Sequence, residues 1–177
     1  FEVAAQDQFG NEIPDLATSW TAVSDAGVVD PSGRFRAGTK AGIYSGGVTL
    51  QASSGGVSKQ ASADIVILPG PIASVSVNPG SAVIFTGDAV SVMVDVFDAF
   101  GNAITPMSTR WSATAGTIQG TDTNGTFQAG RKPGSSTIAA EVTDRHGAAS
   151  GQTVIRVSQG YCETQRQTAK WHAQWYE

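Results

Sequence analysis

The clearest pattern in the chain lies at residues 90–97. Val90, Val92, Val94 and Val96 alternate with Ser91, Met93, Asp95 and Phe97. A period of two puts the four valines on one face of a strand, against a core. The same alternation returns at Ile138, Ala140 and Val142, and again at Thr153, Ile155 and Val157. Residues 72–77, 110–114, 117–119 and 126–129 read as shorter strands. Asn78-Pro79-Gly80 and Phe100-Gly101-Asn102 carry turn chemistry. Asn124-Gly125 predicts a type I′ hairpin turn. Residues 70–158 thus read as seven short strands with no sustained helical period. That pattern predicts an antiparallel sandwich.

Much of this region has a counterpart upstream. Asp7-Gln8-Phe9-Gly10-Asn11 followed by Trp20 matches Asp98-Ala99-Phe100-Gly101-Asn102 followed by Trp111. Gly33-Arg34-Phe35-Arg36-Ala37-Gly38 matches Gly125-Thr126-Phe127-Gln128-Ala129-Gly130, and Gly42 matches Gly134. The period of about ninety residues exceeds the roughly 20–50 of solenoid units, so the repeat is a domain. The boundaries read as 1–69, 70–158 and a tail at 159–177. In the first repeat Val3 and Ala5 stand for Val94 and Val96. Val48, Leu50 and Ala52 stand for Ile138, Ala140 and Val142, after a two-residue insertion near Ser45-Gly46. Ala61, Ala63, Ile65 and Ile67 form its last strand. The expected core comprises Trp20, Trp111, Val92, Val94, Val96 and Ile155. Leu68-Pro69-Gly70-Pro71 forms a short, stiff junction, because each proline fixes φ and removes an amide donor.

Phe1 aligns with Val92, inside a strand. The sequence therefore reads as an excerpt or a processed product, and the first repeat lacks its N-terminal strand. One sheet would then have an open edge, which recruits another strand. Upstream sequence, a neighbouring subunit or the chain's own tail could supply it. Phe1 and Val3 are candidate assembly contacts on this ground. Trp171 and Trp175 in the tail are candidates for a partner contact, as aromatic anchors. The tail fits either a strand or a helix, and either an anchor or the start of a further domain.

Composition narrows the classes. The 177 residues are 40% hydrophobic and only 15% charged, with a net charge of −4. No basic patch offers an electrostatic basis for nucleic acid or an anionic membrane. No run approaches the ~18 apolar residues of a spanning helix, so membrane insertion is not expected. Cys162 is the single cysteine, so no disulfide forms within the chain.

Catalytic chemistry is hard to place. The histidines are His146, in a Gly-flanked turn, and His172, in the tail. There is no Gly-x-Ser-x-Gly elbow, no phosphate-cradling glycine motif and no Cys/His zinc spacing. No enzyme and no cofactor are expected. Asp7 and Asp98 read as side chains that accept hydrogen bonds from turn amides. The competing reading is a calcium site drawing on Asp95, Asp98 and Asp144. Asn124-Gly125-Thr126 fits a glycosylation sequon. A glycan-binding platform would need exposed aromatics, with Phe97, Tyr44, Trp171 and Trp175 as candidates.

The repeated Asp-x-Phe-Gly-Asn, the following Trp, the Gly-x-Phe-x-Ala-Gly and the closing Pro-Gly-Pro resemble the bacterial immunoglobulin-like domains. These are the repeats of invasin- and intimin-type surface proteins. The resemblance covers residues 1–158. It implies an all-β fold of two tandem immunoglobulin-like antiparallel β-sandwiches, the first lacking its N-terminal strand. It also implies a non-enzymatic spacer or adhesin stalk, extracellular or at the cell surface. Its partners would be neighbouring immunoglobulin-like domains of the same chain, a protein or further copies of itself. Two alternatives remain: a fibre subunit completed by a neighbour's strand, and a glycan-binding accessory domain of a secreted enzyme or phage particle.

Overall fold

The computed structural model describes residues 1–160 and is built from strands and turns alone. It divides into two units. The first holds Phe1–Gly70 together with Asp98–Asn102, and the second holds Pro71–Phe97 and the described residues from Ala103.

The second unit is a complete sandwich. Its strands are β6 (Ile72–Asn78), β7 (Ser81–Phe85), β8 (Ala89–Asp98), β9 (Ser108–Ala113), β10 (Thr117–Thr121), β11 (Asn124–Gln128), β12 (Gly134–Asp144) and β13 (Gly147–Ser158). One sheet has the order β10-β11-β8-β6 and the other β7-β13-β12-β9. Four strands face four, and the first two strands lie in different sheets. This is the immunoglobulin arrangement with its opening strand split between the sheets. Alternation explains the core. Val92, Val94 and Val96 of β8 face Ile138, Ala140 and Val142 of β12 and Ile155 and Val157 of β13, with Phe127 and Val77 between them. Phe127, Ile138 and Ile155 are fully buried.

The first unit carries five strands: β1 (Ala17–Ala22), β2 (Gly27–Val29), β3 (Phe35–Ala37), β4 (Gly42–Ser54) and β5 (Val57–Ile67). β1-β4-β5 form one sheet and β2-β3 a short ribbon. Trp20 pairs with Leu50 across β1 and β4, as Trp111 pairs with Ala140 across β9 and β12. The two-residue insertion is a bulge between Tyr44 and Val48, where β4 slips against β5. Gly46 turns there at φ 61°, and its N–H donates to Asp64 Oδ1 at 2.7 Å. The β4–β5 pairing resumes beyond it, so the bulge absorbs the extra residues without moving the apolar face.

Three expectations need correction. Residues 1–6 do not form a strand; Gln6 makes one isolated bridge, to Glu12. In the second unit β8 is held by β11 on one side and β6 on the other. Val3 and Ala5 have neither support and are only half-buried. Next, Asn124-Gly125 is not a turn but the start of β11, paired with Met93 and Val92. The turn lies at Asp122-Thr123, with Asp122 at φ 50°. Finally, an eighth strand, β7, runs parallel to β13, with Ser81 opposite Val154 and Phe85 opposite Ser158.

Candidate functional site

The tryptophans sit where the strand order predicts, but they are half-buried rather than sealed in the core. Glycine explains their position. A methyl group on Gly125 would lie 3.2 Å from Trp111 Cε2 and from Val92 Cγ2, and one on Gly120 would lie 2.8 Å from Trp111 Cδ1. The indole therefore packs closely against the backbone of β10 and β11 at these two glycines. Gly33 plays the same part for Trp20, with 3.1 Å to Cζ2. Phe1 adds its ring 5.8 Å from Trp20 and 6.2 Å from Phe35, the second contact edge-on. Phe1 thus lies against the first unit's own indole, and Val3 is half-buried. Val92, Val94, Val96 and Ile155 are buried.

The strongest polar geometry belongs to the repeated turns. Asp7 Oδ1 accepts the N–H of Phe9 at 2.8 Å and of Asn11 at 2.9 Å, and Oδ2 accepts Asn11 Nδ2 at 2.9 Å. Asp98 does the same with Phe100 (2.8 Å), Asn102 (2.9 Å) and Asn102 Nδ2 (2.7 Å). Both carboxyls are held below their ordinary value. For Asp7 the Asn11 side chain is the main cause, followed by the turn amides. For Asp98, desolvation pushes the carboxyl up. The bonds from the Asn102 side chain and from the Gly70, Asn102 and Phe100 amides outweigh it and leave a pKa of about 2.

The calcium candidates are each engaged separately. Asp95 Oδ2 accepts Asn78 Nδ2 at 2.7 Å. Asp144 Oδ1 caps the β12–β13 hairpin, accepting the N–H of His146 at 2.7 Å and of Gly147 at 2.9 Å. Asp98 sits in its turn. Among the described residues no three His, Cys, Asp or Glu side chains gather into a group able to hold a metal. His146 Nε2 accepts from Arg145 Nε at 2.9 Å, in the same hairpin.

The aromatic candidates divide. Phe97 is 37% exposed on the outer side of β8. Tyr44 is half-buried, and its hydroxyl donates to Lys40 O at 2.9 Å. Trp171 and Trp175 lie outside the described residues. Among the described residues the most exposed phenylalanines are two that the sequence marked only as turn residues: Phe9 at 78% and Phe100 at 66%. They occupy one position in the two turns, and their equivalence was the available signal.

Ser136 escaped the sequence reading, and so did the hydrogen-bond partner of Thr153, which the alternation places on the core face. Ser136, within the β12 core face, donates to Ala115 O at 2.7 Å and accepts the N–H of Ala115 at 3.2 Å. Thr153 donates to Pro79 O at 2.6 Å. Each buried hydroxyl is thereby satisfied by a backbone carbonyl.

No protein-family model matches the chain, and no curated protein matches it. Solved structures do. The S-layer protein SbsC aligns over 90% of this chain and 23% of its own, at 18% identity and a TM-score of 0.46. Dscam1, through its N-terminal four Ig domains, aligns over 84% of this chain and 39% of its own, at 9% identity and 0.44. InvD of Yersinia pseudotuberculosis aligns over 89% of this chain and 51% of its own, at 22% identity and a TM-score of 0.50. The chain spans about a quarter to a half of these structures. The likeness to InvD is one of fold, and it agrees with the strand order: tandem immunoglobulin-like β-sandwich units.

Proposed function

We propose that the chain is a non-enzymatic structural module of an extracellular bacterial surface protein, a spacer or stalk built from repeated immunoglobulin-like units. One observation carries the reading. The same construction occurs twice, down to an indole laid on a glycine and a carboxylate closing a five-residue turn. Duplication of whole units serves reach and presentation; chemistry at a single site has no need of it. The likeness to InvD supports this reading as a likeness of fold.

A surface-display assay tests it. The chain is placed between an outer-membrane anchor and an epitope tag in a bacterium. Access of an antibody to the tag should rise several-fold over a direct anchor–tag fusion. Unchanged access, with the chain folded and exported, would refute the spacer reading. A glycan array tests the accessory-domain alternative; saturable binding lost in Phe100→Ala would replace the spacer reading.

A second reading, a strand-complemented fibre subunit, is favoured by the edge of β5. Its counterpart β13 is paired along residues 154–158 with β7, whereas β5 has β4 as its one neighbour among the described strands. Concentration-dependent polymers in sedimentation would favour this reading. A single monomeric boundary at all concentrations would exclude it.

A further inference from the structure

The Asp-x-Phe-Gly-Asn turn is built twice, but its outward polar groups are engaged in only one copy. The internal bonding of the two turns agrees to within 0.2 Å bond by bond. Gly10 and Gly101 turn at φ 85° and 81°. Asp98–Asn102, inside the first unit, makes three bonds more. Asp98 Oδ2 accepts the N–H of Gly70 at 2.9 Å. Asn102 Oδ1 accepts the N–H of Ala41 at 2.8 Å, and Asn102 Nδ2 donates to Thr39 O at 2.8 Å. The Asn102 amide therefore brackets Lys40, taking the carbonyl on one side and the N–H on the other. Asp7 and Asn11 have no such bonds among the described residues, and both are exposed.

We propose that the Asp7–Asn11 turn is a docking clip for a segment like Thr39–Ala41 on another repeat of this same type. Asn11 would bracket the residue in the place of Lys40, and Asp7 would accept an amide in the place of Gly70. The inference rests on the repeat-module reading above. It also has a direction. The Thr39–Ala41 receptor of this chain is filled by Asn102. Its counterpart in the second repeat is Arg131-Lys132-Pro133, and proline has no N–H to offer the asparagine carbonyl. Among the described residues there is therefore one unfilled clip and no unfilled receptor of this design. Three surface hydrogen bonds are too few to hold separate molecules together. The clip acts where the receptor is tethered in the same polypeptide.

The repeat supplies the test. Residues 1–91 are duplicated ahead of Phe1, so that Ser91 runs into Phe1 as it runs into Val92. The added copy brings a second Thr39–Ala41 segment. Amide hydrogen exchange by NMR then reads the Ala41 amide of the added copy. Its exchange should be slower by about tenfold or more than in the same protein carrying Asn11→Ala. Asn11→Asp, which keeps an acceptor but loses the donor, should retain part of that protection. Equal exchange in the folded parent and Asn11→Ala forms would overturn the clip and leave the module reading standing. An extended chain without β structure by circular dichroism would overturn both. The natural chain provides a second check: Asn102→Ala should speed exchange at its own Ala41 amide. No change there would also overturn the clip.

Discussion

Phe127 and Phe35 occupy one position in the repeat, and their different surroundings give a controlled measurement of burial. Phe127 is fully buried between β8, β12 and β13. Phe35 is half-buried, edge-on to Phe1. A phenylalanine buries roughly 150–250 Å². At about 25 cal/mol per Å², full burial is worth ~4–6 kcal/mol. Phe→Ala in cores costs ~3–5 kcal/mol, cavity included. Phe127→Ala should fall in that range. Phe35→Ala should cost about 2–3 kcal/mol, since roughly half the area is at stake and water fills the space left. Urea titration followed by hydrogen-exchange mass spectrometry separates the units, because peptides from β12–β13 report one and peptides from β4–β5 the other. One global midpoint would not serve for a two-unit chain. Equal losses at the two positions would refute the reasoning, since they would mean that exposure does not set the cost.

Ser136→Ala should destabilise the second unit by ~1–2 kcal/mol, because it removes two hydrogen bonds that tie the exposed Ala115 backbone to the buried β12 face; denaturant titration with β12 peptides as the probe checks this. Gly125→Ala should lower second-unit stability by about 1–3 kcal/mol through overpacking against Trp111 and Val92, and a change in indole fluorescence should accompany it. Asp122→Gly, at a residue with φ 50°, should be neutral or slightly stabilising by thermal melt. Asp98 has a folded pKa of about 2 against an ordinary 3.8. Its contribution to the first unit should be fully present above about pH 4 and disappear as pH falls toward 2. Asp98→Asn should flatten that limb of the stability–pH curve, and an unchanged limb would count against the assignment.

The sequence was most legible where strands alternate cleanly. β8, β12 and β13 each bury one face, and the pattern shows which. The bulge at Tyr44–Val48 was visible as an insertion because the repeat supplied a ruler. β7 was not visible: Ala82, Val83, Ile84 and Phe85 are apolar on both faces, and Val83 and Phe85 are exposed. Its pairing with β13 joins residues far apart in sequence. Gly125 was misread because glycine serves two ends. Next to asparagine it suggests a turn, yet here its missing side chain makes room for an indole that arrives from another strand. The aspartate turns could be read locally, since Asp7 and Asp98 bond to residues two and four positions on. The partners of Asn102 could not, because Thr39 and Ala41 are more than sixty residues away.

The parallel pairing of β7 with β13 has a mechanical consequence. Ser81 enters the pair at one end and Ser158 leaves it at the other. Tension that reaches β7 from its N-terminal side and β13 from its C-terminal side pulls the two strands past each other along their length. The interstrand bonds, evenly spaced in a parallel pair, then share the load and must rupture together, whereas a hairpin pulled open from its ends loses them one at a time. The second unit is thereby wired to withstand stretching through its termini.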